Sequence, residues 1–90
     1  MAPRQLFVDF RMKIPGAPVL DLRSEHREYL TRLKEAGKLL LAGPLVDGSM
    51  GLLVFTTDSL EEALALSKDD PMVVMGVQTP NIKQWRVNIY

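Results

Sequence analysis

Lys38-Leu39-Leu40-Leu41-Ala42-Gly43-Pro44-Leu45 and, across Val46-Asp47-Gly48-Ser49, Gly51-Leu52-Leu53-Val54-Phe55-Thr56 read as two strands joined by a hairpin turn. Gly43-Pro44 closes the first strand, because proline fixes φ and offers no N–H to a ladder. Asp47-Gly48 supplies the residue types that tight hairpins favour. The second strand is apolar on both alternate sets, so it belongs inside a sheet and is covered on both sides.

Helices flank this hairpin. Upstream, His26, Tyr29, Leu30, Leu33 and Ala36 recur at spacings of three and four, which places them on one helix face. Ser24 is the expected N-cap and Gly37 the expected C-terminal glycine, for a helix of about 13 residues. Downstream, Ser59 and Glu62 have capping-box spacing, with Asp58 an alternative cap. Leu60, Ala63, Leu64 and Ser67 form the stripe expected to be buried, and Asp70-Pro71 stops the helix. Met72-Val73-Val74-Met75-Gly76 reads as a helical turn.

The outermost segments are strands. Residues 6–12 alternate, with Leu6, Val8, Phe10 and Met12 on one face and Phe7, Asp9 and Arg11 on the other. Ile14-Pro15-Gly16-Ala17-Pro18 ends that strand. Residues 83–90 alternate again, with Trp85, Val87 and Ile89 on one side. The order β-α-β-β-α-β defines an α+β, ferredoxin-like domain over residues 1–90: a four-stranded antiparallel sheet with both helices on one face. Phe7, the third strand and alternate residues of the second strand would then present apolar groups on the uncovered face. A homodimer through the sheets, with an isologous interface, is expected to bury them.

Composition limits the function classes. Eleven basic and eleven acidic residues cancel, so neither nucleic acid nor an anionic membrane is expected as the main partner. The chain has no cysteine, which excludes disulfides, thiolate nucleophiles and thiolate-bound metals. No N-terminal run has the character of a signal peptide and no segment approaches a membrane span, so a cytoplasmic protein is expected. One histidine and carboxylates without ligand spacing give no metal site, and neither a phosphate loop nor a dinucleotide fingerprint is present. No cofactor is expected. Met12, Met50, Met72 and Met75 read as fillers of core or interface gaps.

His26 is the chain's single side chain whose unperturbed titration falls near neutrality. It is either a half-buried helix histidine or a general acid/base. Its place in the first helical turn, on the face shared with Leu30 and Leu33, points it toward the sheet. Asp69 and Asp70 end a helix, where the macrodipole disfavours carboxylates. They are either turn residues or the partners that a base needs for orientation. Arg4 and Arg11 could bind an anionic substrate, but solvated charges at a strand edge are the simpler expectation.

Taken together, Arg23-x-x-His26-x-x-Tyr29-Leu30, the run Gly37 to Leu45, Ser59-Leu60-Glu61-Glu62-Ala63, Asp69-Asp70-Pro71 with Gly76 after it, and Ile82-x-x-Trp85 resemble the YciI-like (YCII-related) family. The resemblance implies a ferredoxin-like subunit that dimerises into an α+β barrel. It also implies an active-site cleft built on a histidine and the aspartate before proline, here His26 and Asp70. One relative is a dehydrochlorinase of a chlorinated hydroxyquinol, and muconolactone isomerase-like proteins share the wider superfamily; both chemistries move protons on small rings without a metal. Two positions depart from the pattern. Relatives carry Gly-Ser at the start of the third strand with the serine lining the cleft, where this chain has Gly51-Leu52. Ser49 is off that register, so it would face differently or lie in the turn. Met72 replaces the aromatic residue that follows Asp-Pro.

The expected activity is therefore proton transfer, of isomerase or lyase type, on a small cyclic or carbonyl compound. His26 would be the base and Asp70 its orienting partner. A non-catalytic dimeric module that binds a small molecule in the same cleft is the alternative, and a purely structural dimer is a third reading.

Overall fold

A computed structural model of the protein describes residues 5–89. Its elements are β1 (Gln5–Lys13), α1 (Arg23–Glu35), β2 (Leu39–Pro44), β3 (Gly51–Thr57), α2 (Leu60–Lys68), α3 (Pro71–Val74), β4 (Gln78–Thr79) and β5 (Ile82–Trp85). The strands form one antiparallel sheet in the order β2-β3-β1-β4, with β5 also on β1. This is the ferredoxin-like arrangement that the element order implies. Arg4 and Tyr90 lie outside the described residues.

β4 and β5 are two pieces of a single edge. Thr79 and Gln78 pair with Met12 and Lys13, while Ile82 to Trp85 pair with Asp9 to Leu6. Pro80 between them has no N–H for the ladder, although Phe10 N–H still reaches Asn81 O at 2.9 Å. The final strand thus begins before residue 83 and ends at Trp85, a correction to the span 83–90. Residues 86–89 keep their alternation but belong to no strand.

The register assigns the sheet faces. Residues opposite one another share a face, and β1 pairs Phe7 with Phe55, Asp9 with Leu53 and Arg11 with Gly51. These residues lie beneath the helices. Phe7, Leu33, Leu39, Leu53, Phe55 and Ala63 form the core, joined by Tyr29, Leu30, Leu66 and Ile82. The uncovered face instead carries Leu6, Val8 and Phe10 opposite Thr56, Val54 and Leu52. Phe7 was expected on that open face; it is a core residue at 1% exposure. The alternation holds, but the set that faces inward is the one with two charges, Asp9 and Arg11, while the wholly apolar set faces outward.

Local signals place the helices. α1 starts at Arg23 with no side-chain cap from its N-cap residue Leu22, so Ser24 is helical and not the cap. Arg23 N–H is taken by the Asp21 carboxylate instead, at 3.3 Å. Gly37, at φ 75°, closes the helix as expected, and Lys38 N–H returns to Leu33 O at 2.9 Å. Ser59 caps α2 by accepting Glu62 N–H at 3.1 Å, and the Glu62 carboxylate accepts Asp58 N–H at 3.1 Å. Within α2, Ala63 and Ser67 are buried as expected, but Leu60 is exposed and Leu66 reaches the core instead. α3 is the expected helical turn, with Pro71 at its start. No helix among the described residues is long and apolar enough to cross a membrane.

Candidate active site

The site is built where β1, the first turn of α1 and the α2–α3 junction meet. His26 Nδ1 lies 2.9 Å from Asp70 Oδ1 and 2.8 Å from Oδ2. The pairing sets the tautomer: an ionised carboxylate can only accept, so Nδ1 carries the hydrogen and Nε2 holds the free lone pair. Nε2 has no hydrogen-bond partner among the described residues. The ring is 21% exposed and lines a cleft of about 520 Å³, a size within the usual range for small-molecule sites.

Asp70 is fully buried, and each of its oxygens is engaged. Oδ1 accepts Met72 N–H at 3.0 Å, which starts α3. Oδ2 accepts Arg11 Nη1 at 3.0 Å. Burial pushes the carboxyl up, but the hydrogen bonds from His26 and Met72 and the charges of His26 and Arg11 outweigh it, leaving Asp70 below the ordinary carboxylate value. A folded-state value below the unfolded one means that the stability Asp70 contributes is present above about pH 4 and is lost as pH falls through the folded value. The melting temperature should therefore drop on acidification below about pH 4. Asp70→Asn should melt lower at pH 6 and show a flatter acid slope; equal slopes for the two proteins would refute the pairing as a source of acid lability.

Arg11 corrects the expectation of a solvated strand-edge charge. It is 1% exposed. Its Nε donates to Asp9 Oδ2 at 2.7 Å and its Nη2 to Ser67 Oγ at 2.9 Å. Ser67 Oγ in turn donates to Asp9 Oδ2 at 2.7 Å, and Asp9 Oδ1 accepts Asn81 N–H at 3.1 Å. A strand charge can be buried here because α2 and α3 bring Ser67 and Asp70 over it. No buried side-chain nitrogen or oxygen among the described residues lacks a partner. Sequence reasoning did not find Asp9, Arg11 and Ser67 as a unit. One signal was available: Asp9 and Arg11 share an alternate set with Phe7, and a core phenylalanine takes its same-face neighbours inward.

The remaining candidates divide. Gly51 lines the cleft, whereas Leu52 pairs with Phe10 on the uncovered face. Position 52 therefore does not face this cleft within the subunit, contrary to the role expected of a serine there. Ser49 borders the cleft from the turn, but its hydroxyl is held by Asp47 Oδ1 at 2.7 Å. Met72 lines the cleft. Asp69 is exposed and only caps the end of α2. Tyr29 donates its hydroxyl to Leu66 O at 2.7 Å, bracing α1 on α2. Burial first, and then the charges of Asp69 and Asp70, push that hydroxyl above its ordinary value and keep it a donor. No group of three or more His, Cys, Asp or Glu among the described residues could hold a metal ion.

A ferredoxin-like domain with a histidine–aspartate pair at a cleft under its first helix is the class that fold and site define. The chain belongs to the YCII-related domain family, whose family model matches residues 6–86. It is 39% identical over 62 residues to the uncharacterised protein YjpA of Bacillus subtilis (strain 168), an alignment covering 69% of this chain and 73% of that one. Its fold is similar to that of 5-chloro-2-hydroxyhydroquinone dehydrochlorinase (TftG) from Burkholderia phenoliruptrix AC1100, solved in complex with 2,5-dihydroxybenzoquinone. That likeness has a TM-score of 0.74 at 24% identity and covers 90% of this chain and 93% of the other.

Proposed function

We propose that the protein is a metal-independent acid–base enzyme acting on a small cyclic or carbonyl-bearing compound, with His26 as the proton-transfer group and Asp70 as its orienting partner. The observation that carries this reading is the state of the ring: Nδ1 is committed to a buried carboxylate, while Nε2 has no partner among the described residues and His26 lines the cleft. In the forward step Nε2 takes a proton from the substrate, and the imidazolium is stabilised by Asp70. An isomerisation returns that proton to a different atom; an elimination leaves it on His26 while the leaving group departs with the bonding pair. The similar fold of a dehydrochlorinase supports an enzyme of this kind at the level of class. The test uses a panel of candidate substrates. Small cyclic ketones, lactones and halogenated hydroxyquinols are incubated with the protein in D₂O, and deuterium uptake at carbon or loss of halide is followed by NMR and mass spectrometry. Uptake or loss that needs His26 supports an enzyme, whereas saturable binding of such compounds without either supports the binding module.

The working form is proposed to be a homodimer through the uncovered sheet face. Leu6, Val8, Phe10 and Leu52 lie there, and Leu41 and Trp85 extend it at 66% and 50% exposure. A contiguous apolar surface of this kind normally finds a partner, and a two-fold axis lets the same patch cover itself. Light scattering at micromolar concentration should give twice the 10.1 kDa chain mass, and Val8→Lys should shift the protein toward monomer. A wild-type chain that stays at single mass with a folded spectrum would overturn the dimer.

A further inference from the structure

The cleft is electrostatically one-sided. The chain carries equal numbers of acidic and basic residues, yet the lining residues include Arg11, Lys13, Arg23 and Arg27 and no carboxylate. Two of these charges are already met. Arg11 is spent on Asp9 and Asp70. Arg23 grips Asp21 through Nε at 2.9 Å and Nη2 at 2.9 Å, holding that carboxyl down to about 2. The side chains of Lys13, at the end of β1, and Arg27, one residue past His26 on α1, are exposed and make no hydrogen bond or ion pair among the described residues. The nearby acids do not reach them: Asp21 lines an adjoining hollow, and Asp47 in the β2–β3 turn accepts from Ser49. The same lining includes the apolar side chains of Leu30, Leu53 and Met72.

We propose that the cleft takes a small cyclic anion, a ring bearing a carboxylate or phenolate oxygen, with Lys13 and Arg27 holding the charge and Leu30, Leu53 and Met72 packing the ring beside His26. The proposal rests on the reading of this cleft as the active site and gives it a substrate class. The physical reasons are two. Charge-assisted hydrogen bonds to a carboxylate are the stronger kind, and a concave apolar wall raises the field that unpaired cations project into it. A substrate anchored by its charge also presents a fixed ring atom to Nε2, which is how remote binding assists proton transfer. An anion beside the base would further favour removal of a proton only where the negative charge that develops is shared by the same cations.

Benzoate and its neutral isostere benzamide test this by titration into isotope-labelled protein, with backbone amide shifts as the readout at low ionic strength. Benzoate should bind more tightly than benzamide, with shifts centred on Lys13, His26 and Arg27 and an affinity that falls as salt is added. Lys13→Gln with Arg27→Gln should weaken benzoate roughly 5–30-fold while leaving benzamide unchanged. Lys68→Gln with Lys83→Gln removes the same net charge from exposed positions outside the cleft, and should change benzoate binding less than about twofold. Equal affinities for the two ligands, no benzoate binding at millimolar concentration, or equal losses in both double variants would each overturn the proposal. Benzoate bound as described with no proton exchange on any substrate would leave the anion site standing and remove the enzyme reading; turnover of neutral rings with no anion preference would do the reverse.

Discussion

Arg11→Met is expected to lower the unfolding free energy by about 3–5 kcal/mol, the largest stability loss that any single substitution in this site should cause. Methionine nearly fills the space of the arginine stem, so the loss is not one of packing. The guanidinium holds Asp9 at 2.7 Å and Asp70 at 3.0 Å, with both carboxylates at 0% exposure. Removing it leaves two negative charges in the interior with no cation fixed between them, and their desolvation is no longer offset. Adding Asp9→Asn to Arg11→Met should restore about 1–2 kcal/mol, because one buried charge is gone and the amide can still meet Ser67 and Asn81. Urea unfolding of the three proteins at pH 7 measures this. A loss below about 1 kcal/mol for Arg11→Met would mean that the side chain is solvated and that the buried network does not form.

Much of the fold was legible because its elements differ in period. The hairpin at residues 38–56, the amphipathic spacing from His26 to Leu33 and the Ser59/Glu62 cap are local signals, and local chemistry realises them. What the pattern does not contain is which alternate set of β1 faces the helices. Leu6, Val8, Phe10 and Met12 look like a core stripe and Phe7-x-Asp9-x-Arg11 like a surface one, yet the register puts the second set inward. That inversion depends on Ser67 and Asp70, more than fifty residues away, whose polar groups make a charged strand face buriable. The break at Pro80 was visible as a residue type, but the pairing of both halves of the edge to β1 depends on tertiary contact. The His26–Asp70 pair was legible through the family resemblance. The residues alone left His26 between a half-buried helix histidine and a base, and Asp69 and Asp70 between turn residues and its partners; the fold brings His26 and Asp70 to within hydrogen-bond distance. The arginine behind them was missed because its partners are distant in sequence.

His26→Asn should lower turnover of any substrate found by roughly 10²–10⁴-fold while changing its affinity little, because the titrating group is lost and the cleft wall is kept. Asp70→Asn should mimic that loss, and for a reason specific to this geometry. Asp70 receives hydrogen from three directions: His26 Nδ1, Met72 N–H and Arg11 Nη1. An asparagine has one acceptor oxygen for these three donors, and its NH₂ group lies as close to Nδ1 as that oxygen does. With Met72 or Arg11 claiming the oxygen, the NH₂ group competes to donate to Nδ1; where it does, the ring hydrogen moves to Nε2 and Nε2 is no longer a base. Rates are read well below the melting temperature of each variant, so that the stability cost of Asp70→Asn does not masquerade as a catalytic one. If Asp70→Asn melts early but turns over normally, Asp70 is a cap for α3 and a counter-ion for Arg11, and the tautomer of His26 is set without it. If instead the domain only binds, His26→Asn should cost about the worth of one hydrogen bond, 0.5–1.5 kcal/mol of affinity, with no rate to lose. The two variants together therefore distinguish a base held by its carboxylate from a histidine that merely lines a binding cleft.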